Sequence, residues 1–365
     1  MLKGNLEKEP FTGWADAYSR QIALAEIGCE GQRKISKGRV CVIGVGGLGC
    51  ESSIRLAAMG VGYLKLVDRD VVSRSDLHRQ ILYDLSSVGK SKVEVAAEKL
   101  LKLNPNMQVD PLPVALTPSN VESIVKDVDV VVDGLDSLPP RYWVNRACVK
   151  NNVPYVFGSA IQSYGNLSTI LPSKSTCLEC FYPKLENMNL PRCASVGVHP
   201  SIVGVIANLQ VYEAVRVLTD QPPKLTDKLM YVDLAHMGFE IVGLKKRRDC
   251  AACGGKAVSE PGEAPFNPVE EVRAGDGSKT MVITPPKPLE LNLEELMRRG
   301  FMLGWKPSTM GRHSLNMRIK KGVTLSLLSS GVGIVSIAPE LAGKFKLKEV
   351  KAIYGKLGLQ TGFLP

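Results

Sequence analysis

The spacing of apolar positions changes period repeatedly along the chain. Four runs, "RVCVIGV" from Arg39, "YLKLVD" from Tyr63, "VDVVVDGL" from Val128 and "VPYVFGSAI" from Val153, are too short for helices and rich in β-branched residues, the pattern of buried strands. Between them, "CESSIRLAAMG", "KVEVAAEKLLKLNP" and "RYWVNRACVKNN" read as helices with one face in a core. This alternation predicts an α/β fold, a Rossmann-like, mostly parallel sheet flanked by helices, with ligands bound outside the carboxyl ends of the strands. Further on, "VHPSIVGVIANLQVYEAVRVL" reads as a buried apolar helix starting near Pro200, and "KLMYVDL" as another strand.

The pattern breaks after "RRDCAACGG". Residues 254–288 are rich in Gly, Pro, Glu and Ser and end in "TPPKP", which predicts a linker between a first domain, residues 1–253, and a second, residues 289–365. In the second, helical "NLEELMRRG" precedes strand-like "SLNMRIK", "VTLSLLSSG" and "GIVSIA" and a closing helix "LKEVKAIYGKLG", a small α+β unit.

Composition narrows the function. The chain of 365 residues is 44% hydrophobic without an uninterrupted apolar run long enough to span a bilayer, and "MLKGNLEKEP" lacks the build of a secretory signal, so a cytoplasmic protein with no membrane partner is expected. Most of the +10 net charge sits at one end: residues 281–365 hold 13 Lys and Arg against 5 Glu, a net of +8. That end suits an acidic partner. Nucleic acid is not the expected one, because no DNA- or RNA-binding module is visible and aromatics are only 6%.

The candidate chemistry starts where the first strand ends. Gly44, Gly46 and Gly49 have the G-x-G-x-x-G spacing before a helix, where backbone can approach a phosphate and free N–H groups meet an anion. Asp68, at the end of the second strand, is placed to hold a ribose. Both features suit NAD as well as ATP. Arg79 and Lys92, with Asp136 ending a later strand and available to magnesium, tip the balance to cleavage of a triphosphate, since charge builds on oxygen as pyrophosphate leaves.

"GVGGLG", "VDRDVVSRSDLHRQ", "VGKSK", "DGLDS", "CLEC" and "CAAC", in this order, resemble the adenylyltransferases that activate ubiquitin-like and sulfur-carrier proteins: the ubiquitin-activating enzymes, including archaeal-type members, and their relatives in molybdopterin and thiamine biosynthesis. The resemblance spans roughly residues 14–253. It implies an enzyme that binds ATP and Mg2+ and adenylates the C-terminal Gly-Gly carboxylate of a small ubiquitin-like protein. Gly44, Gly46, Gly47 and Gly49 would cradle phosphates and Asp68 the ribose, with Asp70, Asp76, Gln80 and Ser137 also at the nucleotide. Arg79 and Lys92 would steady the phosphates, Asp136 would serve Mg2+, and Arg20 would reach the partner protomer's site, which implies a homodimer. Two positions depart from the family pattern: Asp76 and Ser137 stand where asparagines are usual, and an acid at 76 would repel phosphate unless a cation compensates.

Nine cysteines, four of them in two C-x-x-C pairs, suit metal chemistry better than a disulfide framework. Cys177, Cys180, Cys250 and Cys253 would complete a tetrahedral Zn2+ site closing a long loop. Cys41, Cys50 and Cys148 lie in apolar settings and are expected in the core. Cys193, in the loop-like "LPRCASVGVHP" beside Arg192, has a setting that favours a reactive thiol, and it matches the family's thioester cysteine.

The reading is ATP-dependent activation of a ubiquitin-like protein, thioester formation on Cys193 and handover to a conjugating enzyme. The basic C-terminal domain resembles the ubiquitin-fold domain that recruits such an enzyme, and deleting residues 281–365 is expected to spare both half-reactions. The alternatives are a sulfur-carrier adenylyltransferase, an NAD-dependent oxidoreductase and a non-catalytic nucleotide-binding scaffold.

Overall fold

The computed structural model describes residues 16–183, 196–254 and 266–364. Among these, the first domain is built on eight strands: β1 (Arg39–Ile43), β2 (Tyr63–Val67), β3 (Gln108–Leu112), β4 (Val130–Asp133), β5 (Tyr155–Ile161), β6 (Tyr164–Ile170), β7 (Lys228–Asp233) and β8 (Gly238–Gly243). Their order is β3-β2-β1-β4-β5-β6-β7-β8. Pairing is parallel from β3 through β5 and antiparallel from β5 to β8, so the sheet is mixed, with its parallel half where the alternating pattern lay. The strand order reverses between β1 and β4, which opens a crevice at their carboxyl ends.

Helices α1 (Ser19–Ile22), α2 (Gly28–Lys37), α3 (Gly47–Ala58), α4 (Lys92–Leu103), α5 (Val121–Val125), α6 (Leu138–Asn151), α7 (Leu178–Phe181) and α8 (Pro200–Leu218) complete this domain. One apolar cluster joins Val40 and Val42 of β1 to Leu56 of α3, Leu100 of α4 and Val211 of α8; a second joins Cys41 and Ile43 to Val144 and Cys148 of α6. Alternate residues of β1 therefore serve opposite faces, which is why the strand reads as continuously apolar. Cys41, Cys50 and Cys148 are core residues, as expected. Helix α8 is long and apolar enough to cross a bilayer, yet it lies over the sheet with Ile202, Ile206 and Ala214 buried. It starts at Pro200, where the missing N–H costs nothing, under a cap from His199 to the Ser201 N–H.

The second domain is a six-stranded antiparallel sheet among the described residues: β9 (Val269–Arg273), β10 (Lys279–Ile283), β11 (Lys306–Met310), β12 (Ser314–Lys320), β13 (Val323–Leu328) and β14 (Gly333–Ile337), ordered β11-β12-β13-β14-β10-β9. Helices α9 (Leu293–Met302), α10 (Pro339–Ala342) and α11 (Leu347–Leu357) belong to it. Met281 and Ile283 of β10, Leu325 of β13 and Val335 of β14 pack with Leu296 of α9 and Val350 and Leu357 of α11. The intervening Val282 turns the other way and, with Leu328 and Ile334, meets Ala115 of the first domain.

Two expectations are corrected here. The stretch expected to be linker, residues 254–288, carries β9 and β10. Both strands are short and flanked by Gly and Pro, so segment composition outweighs them; β9 pairs with β10, and β10 is anchored to the sheet by β14, which comes from elsewhere in the chain. The second domain is also not an independent appendage. Ser330 Oγ donates to the Pro113 carbonyl at 2.5 Å, Ser119 Oγ to the Pro286 carbonyl at 2.8 Å, and Arg69 pairs with Glu270 at 2.6 Å. Deleting residues 281–365 would strip β10 from β9 and uncover Ala115, so that truncation cannot be expected to leave the first domain unaffected.

Candidate active site

The glycine turn fills the crevice between β1 and β4. Gly44 has φ +88°, and a Cβ there would sit 2.6 Å from the Gly134 carbonyl oxygen. A Cβ on Gly49 or Gly134 would in turn strike the Gly44 carbonyl, so these three glycines let the turn after β1 lie against the turn after β4. Gly46 serves differently: its missing Cβ would meet only Gln80 Nε2, at 3.9 Å, leaving open space at the start of α3, where no side chain caps the N-terminus. Gln80 is buried, and its Oε1 has no hydrogen-bond partner among the described residues. An open glycine at an uncapped helix start, with free backbone N–H groups, fits a phosphate-bearing ligand.

Acids and cations ring this opening. Asp68 Oδ2 accepts the Val45 N–H at 2.6 Å and Oδ1 the Asp70 N–H at 2.8 Å, so it also ties the glycine turn to the end of β2. Burial, reinforced by the charge of Asp70, pushes its carboxyl up to about 6. Lys92, the first residue of α4, is buried, with Nζ 3.3 Å from Asp70 and 3.5 Å from Asp76. Burial alone would weaken its charge, but Asp70, Asp76 and Asp68 outweigh it and hold the ammonium well above the usual lysine range.

The repulsion raised for Asp76 is answered by its neighbours. Asp76 Oδ2 accepts Ser73 N–H and Ser73 Oγ, each at 2.9 Å, and Oδ1 accepts Gln80 Nε2 at 2.9 Å, while Arg79 and Lys92 both stand 3.5 Å away. Its oxygens are occupied holding Gln80 and the two cations. Arg79 also donates to the Ser75 carbonyl at 2.8 Å.

Asp136 and Ser137 lie on the loop between β4 and α6. Asp136 is exposed; Ser137 caps α6 without a side-chain hydrogen bond. A buried network missed from sequence sets this loop. Asp133 Oδ2 accepts Arg141 Nε at 2.8 Å and Tyr155 OH at 2.6 Å, Oδ1 accepts the Leu135 N–H at 2.8 Å, and Arg141 also donates to the Leu135 and Gly158 carbonyls. Asp133 ends a predicted strand and Arg141 opens a predicted helix, but nothing local pairs them. Truncating Asp133 to alanine would strand a buried guanidinium and should cost about 3 kcal/mol of stability; chemical denaturation checks this, and an unchanged midpoint would refute it.

Arg20 is not brought to this chain's own site. It is exposed on α1, whose Gln21 donates to the Met59 carbonyl, so it lies by the end of α3 opposite the glycine turn. Cys193 lies outside the described residues. The chain leading to it leaves from Tyr182, whose hydroxyl accepts Asn166 Nδ2, and the chain after it is fixed by paired backbone bonds of Gly197 and His199 with Gln162.

The four candidate metal ligands do come together. Cys177, Cys180, Cys250 and Cys253 place their sulfurs within 4.8 Å of one another. Adjacent pairs are 3.9 Å (Cys177–Cys180), 3.5 Å (Cys177–Cys250) and 3.5 Å (Cys180–Cys253) apart. Four thiolates about 2.3 Å from one ion make a tetrahedron with edges of about 3.8 Å, whereas a disulfide needs about 2 Å, so the spacing fits a metal. The Arg247 N–H donates to Cys180 Sγ at 3.5 Å, a hydrogen bond that would favour the thiolate form. On α7 itself, Glu179 accepts Arg146 Nε and Nη2, each at 3.0 Å, which fixes the helix between Cys177 and Cys180.

Comparison with known proteins gives the family and the fold. The sequence model described as the ThiF family matches residues 18–252, a span that stops before β9. The SAMP-activating enzyme E1 of Haloferax volcanii is 39% identical over 240 residues, covering 66% of this chain and 88% of that protein. The adenylyltransferase and sulfurtransferase MOCS3 of Culex quinquefasciatus is 38% identical over 238 residues, and this match spans 65% of the chain but only 54% of the relative. The chain therefore spans about half the length of the MOCS3 proteins. Among solved structures, E. coli MccB with ATP superposes with a TM-score of 0.58 at 24% identity, covering 66% of this chain and 75% of that one, a likeness of fold.

Proposed function

The chain belongs to the ThiF family, and from that premise we propose that it uses ATP to adenylate the C-terminal Gly-Gly carboxylate of a ubiquitin-like protein and then takes the acyl group onto Cys193. The observation that carries the reading is the buried Lys92, which shares Asp76 with Arg79, an arginine whose side chain lies by the glycine turn at Gly47. Two cations beside a phosphate cradle suit displacement of pyrophosphate, in which charge grows on the departing oxygens. In the first half-reaction the carrier's carboxylate oxygen attacks the α-phosphorus, the bond to pyrophosphate breaks, and an acyl-adenylate forms. Lys92 and Arg79 offset the charge that grows on the departing oxygens. Asp68 orients the nucleoside, and Asp136 would hold a magnesium ion, which shields the triphosphate. In the second half-reaction the Cys193 thiolate attacks the acyl carbon, AMP leaves, and the thiol's proton passes to solvent.

Arg20, exposed and remote from its own glycine turn, would complete the site of a second protomer, so the working enzyme is a homodimer. The four-cysteine cluster would hold a structural zinc. The second domain, with its excess of basic residues, would present a docked surface to an acidic conjugating enzyme.

The MOCS3 likeness supports a second reading, in which the acyl-adenylate goes to a sulfur donor. A Cys193→Ala variant separates the steps. Pyrophosphate exchange dependent on the Gly-Gly protein should persist, because adenylation needs no thiol, while the DTT-sensitive band with that protein on a non-reducing gel should vanish. Persistence of the band in Cys193→Ala would remove Cys193 from the mechanism. Exchange without any band in the wild type would favour the sulfur-carrier reading.

A further inference from the structure

Helix α4 does not hold its own beginning. Ser91 precedes its first residue, Lys92, yet the Ser91 side chain caps no N–H group, and its buried hydroxyl has no hydrogen-bond partner among the described residues. The first turn is fixed by bonds from outside the helix. The Lys92 N–H donates to the Asp70 carbonyl at 3.0 Å. Further bonds come from the turn between β11 and β12 of the second domain. There the buried Ser314 Oγ accepts the Ser91 N–H at 3.0 Å, and the N–H groups of Arg312 and His313 donate to the two oxygens of Glu94 at 2.7 and 3.2 Å. Gly311 makes room for that carboxylate, since a Cβ there would stand 2.7 Å from Glu94 Oε2. These residues of the second domain lie outside the span that the family model matches.

Lys92 lies between Ser91 and Glu94 in the chain, within the stretch that this turn grips. Its ammonium is buried, so where it stands depends on where the first turn of α4 sits. Losing the grip would leave the buried Ser91 N–H without its acceptor and free the helix start to shift, and a small misplacement of a group that meets a reacting substrate costs rate and affinity out of proportion to the distance. We propose that Glu94 and Ser314 are positioning residues for Lys92: by gripping the first turn of α4, the β11–β12 turn of the second domain sets where the Lys92 ammonium stands against the departing phosphates of ATP. Both act through the backbone that carries Lys92. The proposal rests on the ATP reading above and adds to it a part played by the second domain.

The test uses the full chain without a carrier protein, with thermal melting of every variant. Affinities for ATP with Mg2+ and for AMP are measured by competition against the same fluorescent adenine nucleotide. ATP should bind about fivefold more weakly to Glu94→Ala, to Ser314→Ala and to Gly311→Ala, whose added methyl pushes the Glu94 carboxylate from its seat. AMP lacks the phosphates that Lys92 steadies, so its affinity should stay within about twofold of wild type. Glu94→Gln keeps one acceptor oxygen and should fall between wild type and Glu94→Ala for ATP, which gives the same reading from a milder change if an alanine variant does not fold. Adding Glu94→Ala to Lys92→Ala should weaken ATP binding no further than Lys92→Ala alone, because the grip then has no cation to position. A merely bracing contact predicts equal losses for ATP and AMP and additive losses in the double variant. Either result, or an unchanged ATP affinity in folded Glu94→Ala, overturns the proposal. If wild type binds no ATP with Mg2+, the ATP reading itself falls and this one with it, so the wild-type measurement tells the two failures apart.

Discussion

Replacing Lys92 by alanine should nearly abolish carrier-dependent exchange of pyrophosphate into ATP, with a loss of about a hundredfold or more, equivalent to roughly 3 kcal/mol of transition-state stabilisation. The size follows from where the ammonium sits. It is buried, so water cannot take over its role, and Asp70 and Asp76 lie 3.3 and 3.5 Å from it. Without the cation those carboxylates would face a triphosphate with their charge uncompensated, opposing the negative charge that builds on the leaving group. A Lys92→Arg variant should retain part of the activity, because it keeps the charge while changing the geometry. Melting curves must accompany the rates, since the substitution also removes a partner from buried Asp76. Near-normal exchange in a folded Lys92→Ala protein would refute the assignment of this site to triphosphate chemistry.

Replacing Cys177 by serine should release a metal and lower stability in the same step. The cluster joins residues 73 positions apart in sequence, holding the end of the first domain against its middle. In the entropy model for cross-links, closing a loop of that length restrains the unfolded chain by about 4 kcal/mol, and a metal site adds binding energy that exists only in the folded state. We expect about one zinc per chain in the purified wild type by elemental analysis. Cys177→Ser should hold far less and melt at a clearly lower temperature, as should wild type after exhaustive chelation. Wild-type protein without zinc, or a variant that keeps both its metal and its melting temperature, would exclude the structural-zinc reading. Its prominence reflects the fold: Cys180 and Cys250 sit at the edges of a segment containing α8, β7 and β8, so loosening the clasp would free a large part of the sheet.

The parts of the site visible in sequence are those that a short stretch of chain specifies by itself. Gly44, Gly46 and Gly49 state their role through spacing and conformational freedom. Asp68 declares itself by ending an apolar run, and the paired cysteines by the two residues between them. Asp76 shows the limit. From sequence it is an acid where phosphate is expected; in the fold it is the acceptor around which Ser73, Gln80, Arg79 and Lys92 assemble. The position could not be judged from its own charge, because three of those four partners derive their orientation from the bend between β2 and α4.

Sequence by itself determined the alternation of buried strands and amphipathic helices, the glycine turn, the acids and cations that ring it and the four cysteines that cluster. Each of these depends on local periodicity, backbone freedom or ligand spacing, all of which are written within a few residues. Tertiary structure alone decided that Asp133 meets Arg141 and Tyr155, that β9 and β10 emerge from a stretch with the composition of a linker, and that Glu270 reaches Arg69 across 201 positions. Such partners are chosen when apolar faces such as those of Val282 and Ala115 exclude water and bring distant polar groups within hydrogen-bonding distance. Their identities follow from the packing of whole elements, which no local pattern encodes.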